Sequence, residues 1–166
     1  MPIITPNFWF DGNAEEAAHF WTSIFPDSRI DRVFRSPADF PSGRKGDVVT
    51  VDFTLSGQPF TGINGGPDFT FSEAVSFLIE CKDQAEVDRY WDALLADGGE
   101  PGPCGWLKDR FGLSWQVVPR RLQELVGGDD RSGAERAMEA MLRMGKLDVA
   151  ELEAAYRGTA QEVAKA

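Results

Sequence analysis

The chain repeats itself at an offset of 70 residues, and this duplication limits its possible folds more than any other feature. Residues 8–21 align with residues 78–91, so that Trp21 matches Trp91 and each tryptophan follows another aromatic residue. A single tryptophan match could arise by chance, but a run of matched chemistry over a whole segment is typical of two related structural modules.

Each copy of the repeat predicts a strand, a helix cap and an amphipathic helix. Asn13 and Asp83 are equivalent, and each has a glutamate three residues later, the spacing of a helix N-terminal capping box. The helices predicted at about 13–25 and 84–96 repeat their apolar residues with a helical period. Strands are expected before each helix, at 3–10 and 74–81, and three extended segments after it, with Ser56-Gly57 as a tight hairpin turn in the first copy.

The sequence therefore predicts an α+β fold with two β-α-β-β-β modules, module one at residues 1–66 and module two at 74–119. After Pro119 the pattern changes to helices alone, and residues 120–166 are interpreted as a helical extension. Within it, Ser132 and Asp148 are predicted caps, with Met138 and Leu142 facing inward. The predicted domains are thus 1–119 and 120–166.

Charge and residue counts exclude several function classes. A formal net charge of −10 is the wrong sign for a protein that neutralises nucleic-acid phosphates or anionic membranes. One histidine and two cysteines are too few for a zinc finger or a disulfide scaffold. His19, Cys81 and Cys104 are interpreted as residues without a chemical role, and no catalytic residue is assigned. With neither a signal peptide nor an apolar run long enough for a membrane helix, a cytoplasmic location is expected.

Strand alternation predicts one apolar and one polar-aromatic sheet face. In the first strand, Thr5, Asn7 and Trp9 share a face, and in the last strand Ser114 and Gln116 share one. Such mixed faces would suit either a solvated sheet or the lining of a ligand cleft. We predict a small-molecule cleft lined by Thr5, Asn7, Trp9, Asn64, Ser76, Trp106, Ser114 and Gln116. No glycine-rich nucleotide or S-adenosylmethionine motif occurs.

Several motifs resemble those of the PhnB-like proteins, which belong to the vicinal oxygen chelate superfamily together with glyoxalase I and the bleomycin-resistance proteins. They are Ile4-Thr5-Pro6-Asn7-Phe8-Trp9-Phe10, Ile24-Phe25-Pro26-Asp27-Ser28, Cys104-Gly105-Trp106-Leu107-Lys108 and Ser114-Trp115-Gln116-Val117-Val118-Pro119. The resemblance covers nearly the whole chain. It implies paired modules, a cupped eight-stranded mixed sheet and a homodimer.

The resemblance also implies a divalent metal held by residues near Thr5, Asn64, Ala74 and Gln116. These positions lack the histidine and glutamate that the superfamily commonly has, and neutral amide oxygens alone bind a divalent ion weakly. Two functions follow: a small-molecule-binding protein without a cofactor, and a metal-dependent enzyme of the glyoxalase or dioxygenase kind. Proteins of this group often carry the label 3-demethylubiquinone-9 3-methyltransferase, an activity that we do not expect without an S-adenosylmethionine motif.

Overall fold

The computed structural model describes residues 4–159, which form two compact units that divide between Phe71 and Ser72. The first unit contains module one, and the second contains module two together with the C-terminal helices. The division at residue 119 between a two-module domain and an extension stays a prediction.

Module one is a four-stranded sheet with one helix. Its elements are β1 Asn7–Phe10, α1 Ala14–Ile24, β2 Arg29–Arg35, β3 Val48–Leu55 and β4 Gln58–Asn64. The strand order is β1-β4-β3-β2, with β1 and β4 parallel and the other pairs antiparallel. Ser56 and Gly57 both have positive φ and join β3 to β4. Two such residues are what a type I′ hairpin requires, so the predicted tight turn is confirmed.

Module two repeats this topology. Its elements are β5 Ser76–Cys81, α2 Gln84–Leu95, β6 Glu100–Pro101, β7 Trp106–Lys108 and β8 Ser114–Pro119. The order β5-β8-β7-β6 reproduces that of module one, with β5 and β8 parallel. The α+β fold with two β-α-β-β-β modules is therefore confirmed. The eight strands are divided into two mixed sheets of four, one in each module, where a single eight-stranded sheet was expected.

The core of module one is largely aromatic. Phe8 and Phe10 point from β1 toward α1, where Trp21 is fully buried, and Phe53 and Phe60 continue the cluster on β3 and β4. Phe8 and Trp21 meet edge to face with ring centroids 5.4 Å apart. Sequence periodicity had predicted this apolar face correctly.

Of the two helix caps predicted from the repeat, the cap of α2 is confirmed and the cap of α1 is not. The Asp83 carboxylate accepts from the Glu86 backbone N–H at 2.9 Å, as the capping pattern predicts. The prediction for Asn13 is wrong, because its side chain makes no cap hydrogen bond. The Asn64 side-chain oxygen, at the end of β4, accepts from the Ala14 N–H at 3.0 Å in its place.

Three helices complete the second unit: α3 Arg120–Val126, α4 Arg131–Met141 and α5 Val149–Arg157. Asp148 caps α5 as predicted. Asp130 caps α4, so the prediction of Ser132 is wrong by two residues. The prediction that Met138 and Leu142 face inward is also wrong, since they are 38% and 61% exposed while Ala137 and Ala140 occupy the core. Among residues 4–159, no helix combines the length and apolar character needed to cross a bilayer.

Candidate functional site in the second unit

The open face of the module-two sheet gathers four of the predicted site residues. The register places Ser76 beside Ser114, and Gln116 between Leu78 and Trp106, all on the face opposite α2. Trp115 and Val117 occupy the other face and are buried. The predicted division of this sheet into a polar-aromatic face and an apolar face is confirmed.

A cavity of about 440 Å³ lies at one end of this face. Its apolar lining comes from Pro101, Pro103, Trp106 and Leu107, and its polar lining from Glu73, Glu100, Cys104, Lys108 and Ser114. The volume falls within the range of pockets that bind small organic molecules, which are typically apolar with a few polar groups. Trp106 and Ser114 are the predicted site residues that line it.

Ser114 is the most unusual polar group of this cavity. The residue is 1% exposed, and its hydroxyl has no hydrogen-bond partner among the described residues. A buried polar group without a partner costs roughly 1–3 kcal/mol, and native structures contain few of them. A ligand atom that exchanges a hydrogen bond with this hydroxyl would recover that cost.

Lys108 and Glu73 form the closest ion pair of the cavity, with Nζ and Oε1 2.5 Å apart. The hydrogen bond from Lys108 lowers the pKa of the Glu73 carboxyl, and the same bond raises the pKa of the Lys108 ammonium. Both groups therefore stay charged at neutral pH. The carboxylate of Glu100, the cross-strand partner of Lys108, adds to the upward shift of the lysine pKa.

The wall residues Pro103 and Cys104, with the adjoining Gly105, are held from behind by the loop between α4 and α5. Cys104 N–H donates to the Met144 carbonyl at 2.8 Å, and Gly105 N–H donates to the Gly145 carbonyl at 2.7 Å. Gly105 has φ +81°, and a side chain there would lie 2.8 Å from the Val117 carbonyl. Glycine is therefore required for the segment to approach β8 this closely.

The predicted site residues of module one have different surroundings. Asn7 Nδ2 donates to the Thr5 carbonyl at 2.8 Å. Trp9 Nε1 donates to the Gly66 carbonyl at 2.8 Å, and its ring meets Phe69 edge to face. The ring also fills the space at Gly65, where a Cβ would lie 2.1 Å away. Trp9 thus fastens the segment after β4 onto β1.

Asn64 lies on the α1 face of its sheet, since the register pairs it with Phe10 and not with Asn7 or Trp9. It is 7% exposed, and its amide donates to the Val48 carbonyl at 2.9 Å while its oxygen caps α1. Both ends of the side chain therefore stabilise the fold. The structure does not bring Asn64 onto the face that Asn7 and Trp9 share.

The residues at the four implied metal positions do not fit a divalent ion. Ala74 has no side-chain donor atom, the Asn64 oxygen is already bonded to α1, and Thr5 and Gln116 could offer only neutral oxygens. Divalent ions of the harder kind need several oxygen donors, usually including carboxylates. Within residues 4–159, no group of three or more histidine, cysteine or acidic side chains could hold a metal.

The remaining singled-out residues are placed as follows. His19 is exposed on α1. Cys81 is fully buried, and this burial raises the pKa of its thiol to about 12, so it stays protonated at neutral pH. Cys104 is half-buried in the cavity wall, with a positive φ of 56° that is uncommon outside glycine.

Sequence reasoning missed the charged lining of the cavity and the buried carboxylate next to it. Lys108 follows Trp106 by two residues on β7, so strand alternation could have placed both on one face. Asp109 is 2% exposed, and its carboxylate accepts from Phe111 N, Leu113 N and Trp115 Nε1 at 2.8–3.1 Å. An Asp three residues before a turn glycine is a signal for such a side-chain-stabilised turn.

Paired β-α-β-β-β modules, each with a helix over one sheet face, define a protein of the PhnB-like class. Residues 2–118 match the model of the 3-demethylubiquinone-9 3-methyltransferase family, and the chain belongs to that family. The structure is similar to that of the PhnB protein from Bacillus cereus, with 35% identity and a TM-score of 0.62. That match covers 71% of this chain and 99% of the other.

A protein from Pseudomonas aeruginosa shares the fold at 20% identity, with a TM-score of 0.59 over 72% of this chain and 98% of the other. The search among curated proteins gives no match. The PhnB-like resemblance is thereby confirmed.

Proposed function

We propose that the protein binds a small molecule in the cavity on the open face of the module-two sheet. The observation that carries this proposal is the buried, unpartnered Ser114 hydroxyl in a cavity of about 440 Å³. The half-buried Trp106 ring gives the same cavity a flat apolar surface against which a planar group could pack. Proteins tolerate such an unsatisfied group at a binding site because a ligand can satisfy it.

The side chains at the implied metal positions do not favour the alternative of a metal-dependent glyoxalase or dioxygenase. Ala74 has no side-chain donor atom, and the Asn64 oxygen is already bonded to the Ala14 N–H. No S-adenosylmethionine motif supports methyl transfer either. We therefore propose binding or sequestration rather than either reaction.

The proposal is tested by a thermal-shift screen of a ring-compound fragment library, followed by two variants. Ser114→Ala should raise the Tm of the free protein, because it removes a buried unsatisfied hydroxyl that costs roughly 1–3 kcal/mol. The same variant should reduce the Tm shift produced by each hit. Ser76→Ala is the matched control: this neighbour on the same face is already bonded to Gln116, so its loss should leave the hits' effect unchanged.

A screen without hits would overturn the proposed site. So would hits that bind to the Trp106→Leu and Ser114→Ala variants as tightly as to the unaltered protein. A rise in Tm on Ser114→Ala with an unchanged ligand effect would show that the hydroxyl faces no ligand.

We further propose a cytoplasmic homodimer as the working form. Strands β1 and β2 border the first sheet, and β5 and β6 the second. Exposed strand edges are commonly covered by pairing with another chain. Light scattering at micromolar concentration should give twice the mass of the chain, and the mass of one chain would contradict the dimer.

A further inference from the structure

The cavity has an excess of negative charge. Glu100, Lys108, Ser114 and Ser76 form one cross-strand row on the open face, from β6 through β7 and β8 to β5. With Glu73 at the rim, the lining holds two carboxylates and one ammonium. Glu100 is exposed and makes no ion pair within the part of the chain that the structure describes.

An anionic ligand would meet two obstacles here. The Lys108 ammonium is already paired with Glu73 at 2.5 Å, so a ligand carboxylate or phosphate would have to displace that partner. It would then lie beside Glu100, the cross-strand neighbour of the same lysine. Like charges placed this close repel each other, and the repulsion disfavours anions.

A cation meets more favourable conditions, because the Lys108 ammonium that would repel it is neutralised by its ion pair with Glu73. The exposed carboxylate of Glu100 can pair with the charge, and the Trp106 indole on the same face can pack against the ring that carries it. A net charge of −10 raises the concentration of cations near the whole molecule. The Ser114 hydroxyl can accept a hydrogen bond from an N–H group, which an organic ammonium supplies.

We infer that the cavity takes a small organic cation built on a planar ring, with the ring against Trp106, the charge toward Glu100 and an N–H toward Ser114. This inference rests on the proposed function, and it adds the charge and shape of the ligand.

Three probes of matched size and different charge test it: benzylamine, benzyl alcohol and benzoate, each titrated into the full chain and followed by calorimetry. Benzylammonium should bind most tightly and benzoate most weakly. Glu100→Gln should weaken the binding of benzylammonium by about threefold, the size typical of a partly exposed charge pair. The affinity for benzyl alcohol should stay unchanged. Raising the salt concentration should weaken the binding of the cation and of neither other probe.

Glu139→Gln is the control, because it changes the net charge of the chain equally but lies exposed on α4, outside the cavity lining. Equal losses of benzylammonium affinity in both variants would show that only the overall charge matters, and would overturn the inference. If benzyl alcohol or benzoate bound as tightly as benzylammonium and depended on Trp106, the cation preference would be wrong while the binding site stood. If no ring compound bound at all, the proposed function would fall as well.

Discussion

At the scale of single residues, side chains that were read as one set of ligand contacts have separate roles. Ser114 is buried without a partner and Trp106 lines the cavity, whereas Asn64 is bonded at both ends to the fold. Alternation along one strand predicts which residues share a face. It cannot show whether a polar atom is already satisfied by a residue 50 positions away.

The reassignment of the α1 cap gives a direct stability prediction. Asn64→Ala should lower the free energy of unfolding by about 2–3 kcal/mol, since it removes a helix cap and a second buried hydrogen bond. Asn13→Ala should cost less than about 0.5 kcal/mol, the size typical of an exposed position without a specific role. Urea denaturation of both variants measures the difference. Equal losses of unfolding free energy, or a larger loss for Asn13→Ala, would show that Asn13 and not Asn64 caps α1.

At the scale of elements, predictions succeeded where the stabilising residue lies beside the element it stabilises. Asp83 and Asp148 cap α2 and α5 from the adjoining position, and Ser56-Gly57 forms a turn by its own backbone preference. The α1 cap depends on Asn64 from another strand, and the start of α4 depends on Asp130, which competes with a nearby serine. Long-range contacts and competing local caps are what the pattern alone does not resolve.

The loop between α4 and α5 links the C-terminal helices to the cavity wall. Leu147 is fully buried, and its carbonyl accepts from Gln84 Nε2 at 3.1 Å. The Gln84 oxygen in turn accepts from Val149 N–H at 2.8 Å. Met144 and Gly145, just before this point, accept from the wall residues Cys104 and Gly105. The extension thus supports the shape of the cavity and is a part of the same unit.

Gln84→Ala should therefore loosen this loop and the cavity wall together. Amide hydrogen exchange of residues 104–105 and 144–149 should become about tenfold faster, because the lost hydrogen bonds stabilise the closed segment against opening by roughly 1.4 kcal/mol. Gln123→Ala, an exposed position on α3, should leave these rates unchanged. Faster exchange at 144–149 with an unchanged wall would show that the two segments open independently.

At the scale of the whole molecule, the duplication predicted the topology of both modules, since strand order and helix position are the same in each. The structural asymmetry between the modules was not predicted. Module two carries the short strands β6 and β7, which provide much of the cavity lining, whereas the equivalent strands of module one are longer. A cavity of this kind depends on strand length and loop conformation, which the shared sequence pattern does not reveal.

The most direct test of the module-two cavity as the proposed ligand site is a nuclear magnetic resonance titration with the ring fragment that raises Tm most. We expect the shifts to change most at the Trp106 indole N–H and at the amides of residues 100–108 and 114. The chemical shifts of the amides around the smaller pocket of module one, lined by Arg35 and Asp47, should stay unchanged. Shift changes concentrated in residues 4–64, with the Trp106 signal unmoved, would contradict the account.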